Sequence, residues 1–305
     1  MARASTRSSP IDRHTRKVSE TYSAQSAVDD LVKLLDLERI EDHIFRGQSP
    51  NDMRQRVFGG QVAGQALVAA YRTVDKGSVH SLHSYFLRPG DPSIPIVYEV
   101  ERVRDGRSFT TRRVIAIQHG ESIFHLTASF HTAESGFEHQ FDPPAAPDPE
   151  SLPNFATRNA DRNDILGAWL HQPRPIDARY VGPDEARRAS GEPLPPHQQV
   201  WMRADGALPD DPVLHQCVLT YASDMTLLDT VNLPHGESFH SGNLMMASLD
   251  HAMWFHRPFR ADRWFLYIQD TPSSQGARGL ARGLIFQDGK LVVSVVQEGL
   301  VRLIS

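Results

Sequence analysis

Residues 81–89 read SLHSYFLRP and residues 248–258 read SLDHAMWFHRP, two serine-leucine openings that pass through apolar residues to a Phe-x-Arg-Pro close. Working outward from them, Arg88 and Arg257, Arg113 and Arg282, and Gly120 and Gly289 are each 169 positions apart (257 − 88, 282 − 113, 289 − 120). One gap-free offset joining three landmarks identifies a tandem duplication. Around the first copy, VFGGQVAGQALVAAYRTV (57–74) predicts a helix with a glycine-rich entrance. IPIVYEVERVRDG (94–106), SFTTRRVIAIQHG (108–120) and SIFHLTASFHT (122–132) then alternate with period two, as half-buried strands do. Asp105-Gly106 and His119-Gly120 mark the hairpin turns between them.

The second copy repeats that order. VLTYASDMTLLDTV (218–231) predicts its helix. RWFLYIQD (263–270), ARGLARGLIFQDG (277–289) and KLVVSVVQEGLVRL (290–303) predict strands, with Asp288-Gly289 turning between the last two. Each unit is therefore a helix followed by an antiparallel meander, which places the chain in the α+β class. The expected layout is a basic, Ser- and Thr-rich tail over residues 1–26, a first unit over 27–133, a linker over 134–212 and a second unit over 213–305. The linker holds 13 of the 21 prolines, and that density opposes regular structure. AVDDLVKLLDL (27–37) predicts a short amphipathic helix at the head of the first unit.

Composition narrows the function. An apolar fraction of 40% with no run near the roughly 18 residues of a membrane span argues against a spanning protein. A net charge of −5 gives no electrostatic reason to expect nucleic acid as a partner. Cys217 is the only cysteine, so neither an intrachain disulfide nor a thiolate metal cluster can form, which fits a reducing cytoplasm. The chain lacks a G-x-S-x-G elbow, a P-loop and an H-E-x-x-H motif, and its 15 histidines show no recurring ligand spacing. No metal site is expected.

Positions at which the copies differ cannot be explained by the fold that they share. Gln297 falls 169 positions after Ala128, in an otherwise apolar strand, so its buried amide must find partners or cost about 1–3 kcal/mol. Asp224 stands where the first copy has no acid, and two readings are open: a helix N-cap or a functional carboxylate. Ser248 is a third polar group, at the mouth of the second phrase. Asp250 and His251 are neighbours on a strand and point to opposite faces, which argues against their joint action on one substrate.

Together, RVFGGQVAGQAL, VHSLHSYFLRPGDPSIPIVYEVERVRDGRSFTTRRV, SLDHAMWFHRPF and VVQEGLVR resemble the acyl-CoA thioesterase II family, over residues 25–135 and 215–305. The resemblance implies a double hotdog fold, in which each sheet wraps a central helix. It implies hydrolysis of fatty acyl-CoA to free acid and CoA without a cofactor, by water activated at Asp224, Ser248 and Gln297, where relatives carry Asp, Thr or Ser, and Gln. Gly59, Gly60 and Gln61 are expected to bring the first helix close to the substrate, and family members commonly form homodimers or homotetramers. Two alternatives stand beside this reading: a non-catalytic acyl-CoA-binding protein, and a hotdog enoyl-CoA hydratase using Asp229 and His235.

Overall fold

A computed structural model describes residues 23–50, 55–162, 167–182, 190–237 and 244–304. The first unit comprises α1 (Ala24–Leu35), β1 (Glu38–Glu41), β2 (Ile44–Gly47), α2 (Gly59–Tyr71), β3 (Ser78–Phe86), β4 (Ile96–Asp105), β5 (Phe109–Gln118) and β6 (Glu121–His131). The second comprises β7 (Ile176–Val181), β8 (His197–Ala204), α3 (Pro212–Ser223), β9 (Leu244–Ser248), β10 (Asp250–Phe255), β11 (Phe265–Gln275), β12 (Arg278–Gln287) and β13 (Lys290–Leu303). All strands join one antiparallel sheet ordered β1-β2-β4-β5-β6-β3-β10-β13-β12-β11-β8-β7, with β9 also on β13. The order is the same read outward from the β3–β10 seam in either direction.

The duplication is visible in hydrogen bonds as well as in sequence. β3 to β6 end or begin 169 residues before β10 to β13, as at Phe86 and Phe255 or Glu121 and Lys290. The opening phrases have a structural purpose: Arg88 Nη1 donates to Ser122 O at 2.7 Å and Arg257 Nη1 to Leu291 O at 2.9 Å, the same contact in each copy. The loop beyond each phrase is clamped by a buried glutamine, Gln118 accepting from Asp91 N and Gln287 from Arg260 N. Buried Tyr98 and Tyr267 stand at one offset and tie each sheet to a helix, Tyr98 donating to Gln65 Oε1 and Tyr267 to Ser223 O. His119 and Gly120, like Asp288 and Gly289, take positive φ in two-residue turns that match strand twist. Gly106 does not, and the β4–β5 connection is a wider loop.

Four expectations change. The proline-rich interval is not a linker throughout, because proline-free residues 176–181 and 197–204 form β7 and β8, with Gln198, Val200, Met202 and Ala204 facing inward. The second sheet thus extends N-terminal of residue 213. α1 begins at Ala24, because Ser23 caps it, three residues before the expected boundary; the tail up to residue 22 lies outside the described residues. α3 begins at Pro212, capped by Asp211. The same helix ends before Asp224, so residues 224–231 are not part of it. Asp-Pro is a cap followed by a preset first turn, a signal that outranks the apolar pattern downstream. No helix of the described residues is long and apolar enough to cross a membrane.

α2 and α3 lie antiparallel in the hollow of the sheet, with Gly60 against the Tyr221 carbonyl and Gly64 within 3.3 Å of the Cys217 carbonyl, measured from where a Cβ would stand. Glycine at both contacts lets the backbones approach closely. Leu67, Leu82, Val114, Leu126, Val218, Val293 and Val295 close the core around them. Each such side chain contributes about 1.5–3 kcal/mol through burial.

Candidate active site

Asp224 follows the last turn of α3, at φ −84° and ψ −5°. A carboxylate there meets the negative end of its own helix. The antiparallel pairing offsets this by bringing the N-terminus of α2 alongside. α2 starts after Phe58, whose side chain supplies no cap, and the Gly60 N–H donates instead to the Asp224 carboxylate. One helix is thereby capped by a residue at the end of the other. The N-cap reading of Asp224 for its own helix is excluded, since Asp211 performs it, accepting from Val213 N at 2.9 Å. Gly59 is required by contact: a Cβ there would stand 2.6 Å from Asp224 Oδ2 and 2.9 Å from Phe86 Cε1.

The structure brings the three expected residues together. Gln297 Nε2 donates to Asp224 Oδ1 at 2.6 Å and to Ser248 Oγ at 2.8 Å, and Ser248 Oγ lies 3.2 Å from Asp224 Oδ1. Ser248 reaches Asp224 through a break in strand pairing. β13 opposes Ser248 with Gly299 but Ala252 with Val296, so the register slips by one residue at Leu249. The first copy slips at the equivalent His80, between Val79 and Ser81. A one-residue slip re-aims the side chains beyond it, and here it turns Ser248 inward.

These groups meet at a cavity of about 580 Å³ lined by Phe58, Val62, Phe86, Phe124, Met225 and Leu228, with Gly59, Asp224 and Ser248 in its wall. Gln297 is fully buried behind them, and its Oε1 has no partner among the described residues. Gln61 does not line the cavity; its amide donates to Gln48 O and Ser49 Oγ and fastens the segment that precedes α2. Gly60 contributes its N–H to Asp224. Asp229 is in the wall, whereas His235, at the far end of the 3₁₀ turn Leu228–His235 that holds both, is not.

Burial pushes the Asp224 carboxyl up to about 6, while the hydrogen bonds from Gln297, Ser248 and Gly60 hold it lower. Such a group is charged at neutral pH yet accepts a proton readily. His251, on β10 beneath it, is fully buried and lies 2.8 Å from Ser223 Oγ through Nε2; burial lowers it to about 4, so it is neutral. Ser223 Oγ also lies 2.9 Å from Thr220 O, so it links His251 to the last turn of α3. Asp250 turns the other way and accepts from Glu298 N at 2.6 Å, as strand geometry requires. Among the described residues no group of three or more His, Cys, Asp or Glu is placed to hold a metal ion.

The sequence did not disclose the Gly60–Asp224 bond, the His251–Ser223 contact or most of the cavity wall. The first two depend on how helix meets helix and strand, and the only available signal was Asp211-Pro212, which fixes where α3 starts and therefore where it stops.

Residues 48–131 match the family model of the acyl-CoA thioesterase N-terminal domain, and residues 175–300 that of acyl-CoA thioesterase. Acyl-CoA thioesterase 2 of Haemophilus influenzae is 40% identical over 286 residues, 90% of this chain and 98% of the relative. Among solved structures, acyl-CoA thioesterase II TesB2 from Mycobacterium marinum superposes with a TM-score of 0.75 at 49% identity, covering 90% of this chain and 99% of that one. A protein of unknown function with a hot dog fold from Alicyclobacillus acidocaldarius gives a TM-score of 0.73 at 20% identity, over 90% of this chain and 99% of its own. The architecture is therefore a double hotdog.

Proposed function

The chain belongs to the acyl-CoA thioesterase family and hydrolyses acyl-CoA thioesters, and we propose that it does so by direct attack of a water molecule that Asp224 deprotonates, without a covalent acyl-enzyme. The observation that carries this reading is the buried carboxylate, raised to about 6 and gripped by Gln297 and Ser248 at the wall of an apolar cavity. Asp224 accepts a proton from water as the water oxygen bonds to the thioester carbonyl carbon. The tetrahedral intermediate collapses with cleavage of the C–S bond, and the proton on Asp224 passes to the departing thiolate, giving free acid and CoA. A thioester is electrophilic enough for this route if the water is held in line.

Gln297 and Ser248 fix the carboxylate through Oδ1, which leaves Oδ2, beside Gly59, for the water. Gly59 opens α2, and its N–H, which has no acceptor within the helix, is assigned to the oxyanion. The acyl chain occupies the apolar part of the cavity, and fatty acyl-CoA is the substrate class. The lone, buried Cys217 supports a reducing cytoplasm as the site of action. The open edges of β1 and β7 support assembly as a homodimer or homotetramer.

Thiol release from acetyl- to palmitoyl-CoA tests the mechanism. Wild type is expected to turn over members of the panel, and a folded Asp224→Asn variant to lose about 10²–10⁴-fold in kcat. Full turnover by that variant would overturn the mechanism, while tight binding with no release by wild type would return the chain to the binding-protein reading.

A further inference from the structure

The two copies are not in step from helix to sheet. α2 and α3 begin 153 residues apart (212 − 59), whereas the strands keep 169, so the second copy carries 16 extra residues (169 − 153) between helix and sheet. This insert includes the 3₁₀ turn Leu228–His235 and precedes Ala247 and Ser248, which pair with β13 as Ser78 and Val79 pair with β6. Two glycines receive the turn. A Cβ on Gly299 would collide with Leu228, and one on Gly279 with Val231. The positions 169 residues earlier are Phe130 and Thr110, both buried. The hollow that the Phe130 ring fills in the first copy is thus left empty by Gly299 and occupied by Leu228 from the insert. Leu228 also lines the cavity beside Asp224 and Met225. Its side chain therefore has sheet behind it and the cavity in front.

We propose that Leu228, seated on Gly299, is the residue that sets which acyl chain lengths the cavity accepts. This rests on the reading that the cavity takes the acyl chain. Well-packed walls do not yield to a misfit side chain, so the position of one wall residue is converted into a size limit. Truncating Leu228 reopens the hollow above Gly299 to the substrate. Enlarging it cannot proceed backward, because the backbone of Gly299 blocks the way, so the added atoms must enter the cavity.

The test is kcat/KM across acetyl-, hexanoyl-, decanoyl- and palmitoyl-CoA, with folding followed by thermal melting. Leu228→Ala is expected to raise the palmitoyl-to-hexanoyl ratio at least ten-fold, and Leu228→Phe to lower it by a similar factor. Adding Gly299→Ala to Leu228→Ala refills the hollow with a methyl group and is expected to move the ratio back toward wild type. Equal changes on every chain length, or ratios that stay fixed in both single variants, would overturn the proposal. If wild type releases no thiol from any member, the hydrolytic reading fails, and the same ratios taken from calorimetric binding of each acyl-CoA still decide the role of Leu228.

Discussion

The first copy and the second share a sheet, a helix, a clamped loop and a slipped strand, yet they invert one pair of facing residues. In the first, β5 contributes Arg112 opposite Ala128 of β6; in the second, β12 contributes Ala281 opposite Gln297 of β13. Each copy buries one long polar side chain at this pair, from opposite strands. Arg112 is fully buried and spends its donors on Thr73, Arg104 O and Asp105. Gln297 spends its amide on Asp224 and Ser248. The sequence positions answering to Asp224 and Ser248 in the first copy are Tyr71, by the helix offset, and Val79, by the strand offset. A satisfied guanidinium stabilises; a carboxylate with unspent acceptor capacity facing a cavity can react. The duplication supplies one scaffold twice, and the chemistry proposed above lies where the second copy leaves hydrogen-bonding capacity unused.

That contrast can be broken in graded steps. Asp224→Asn, already described, has the largest expected effect. Gln297→Ala comes next: it leaves the carboxylate in place but unoriented, and kcat is expected to fall about 10²-fold, the scale for losing one positioned donor. A loss as small as two-fold would show that Ser248 and Gly60 suffice to aim Asp224.

The pH dependence sharpens the contrast further. The proposed mechanism requires charged Asp224, so kcat/KM is expected to rise with pH through about 6 and then level off. Stability runs the other way for the same group. The folded value of Asp224 lies above the unfolded one near 3.9, so its contribution is fully present below about pH 4 and is lost as pH rises through 6, about 3 kcal/mol in all. His251 has the opposite sign. Its folded value, about 4, lies below the unfolded 6.5, so its contribution is present above 6.5 and is lost as pH falls toward 4, again about 3 kcal/mol. The two slopes oppose each other in wild type. Denaturant melts between pH 4 and 6.5 are therefore expected to show stability rising more steeply with pH in Asp224→Asn than in wild type; parallel curves would refute the raised carboxyl.

The smallest effect is expected in the first copy. Ala128→Gln places an amide opposite Arg112, where the local donors and acceptors are already engaged. Stability is expected to drop by about 1–3 kcal/mol with kcat/KM unchanged. A change in turnover would show that the first copy takes part in the chemistry beyond its share of the cavity wall.

Much of this was legible without coordinates, for reasons that particular residues make plain. Strand period and turn residues placed β4 to β6 and β11 to β13 to within a few positions, because alternation and Asp-Gly or His-Gly turns are local signals. The offset itself isolated Gln297, since a polar residue replacing Ala128 in a duplicated strand needs a partner. α3 was misplaced at both ends because the apolar run over residues 218–231 continues into a 3₁₀ turn that is buried just as a helix would be. VWMRADG (200–206) reads as a candidate first strand of the second unit and falls on β8, whereas β7 is hidden by the prolines on either side of it.

What the sequence determined alone was therefore the periodic part: two copies, their strands and turns, and which copy carries the polar residues. These follow from contacts between near neighbours and from the comparison of one copy with the other. What only the tertiary structure decided was how residues 224, 248 and 297 come within hydrogen-bonding distance, how the start of α2 caps a residue at the end of α3, and how Leu228 takes the place that Phe130 holds in the first copy. Each depends on the angle and closeness with which helix, insert and sheet pack, and packing joins residues that no local pattern in the chain connects.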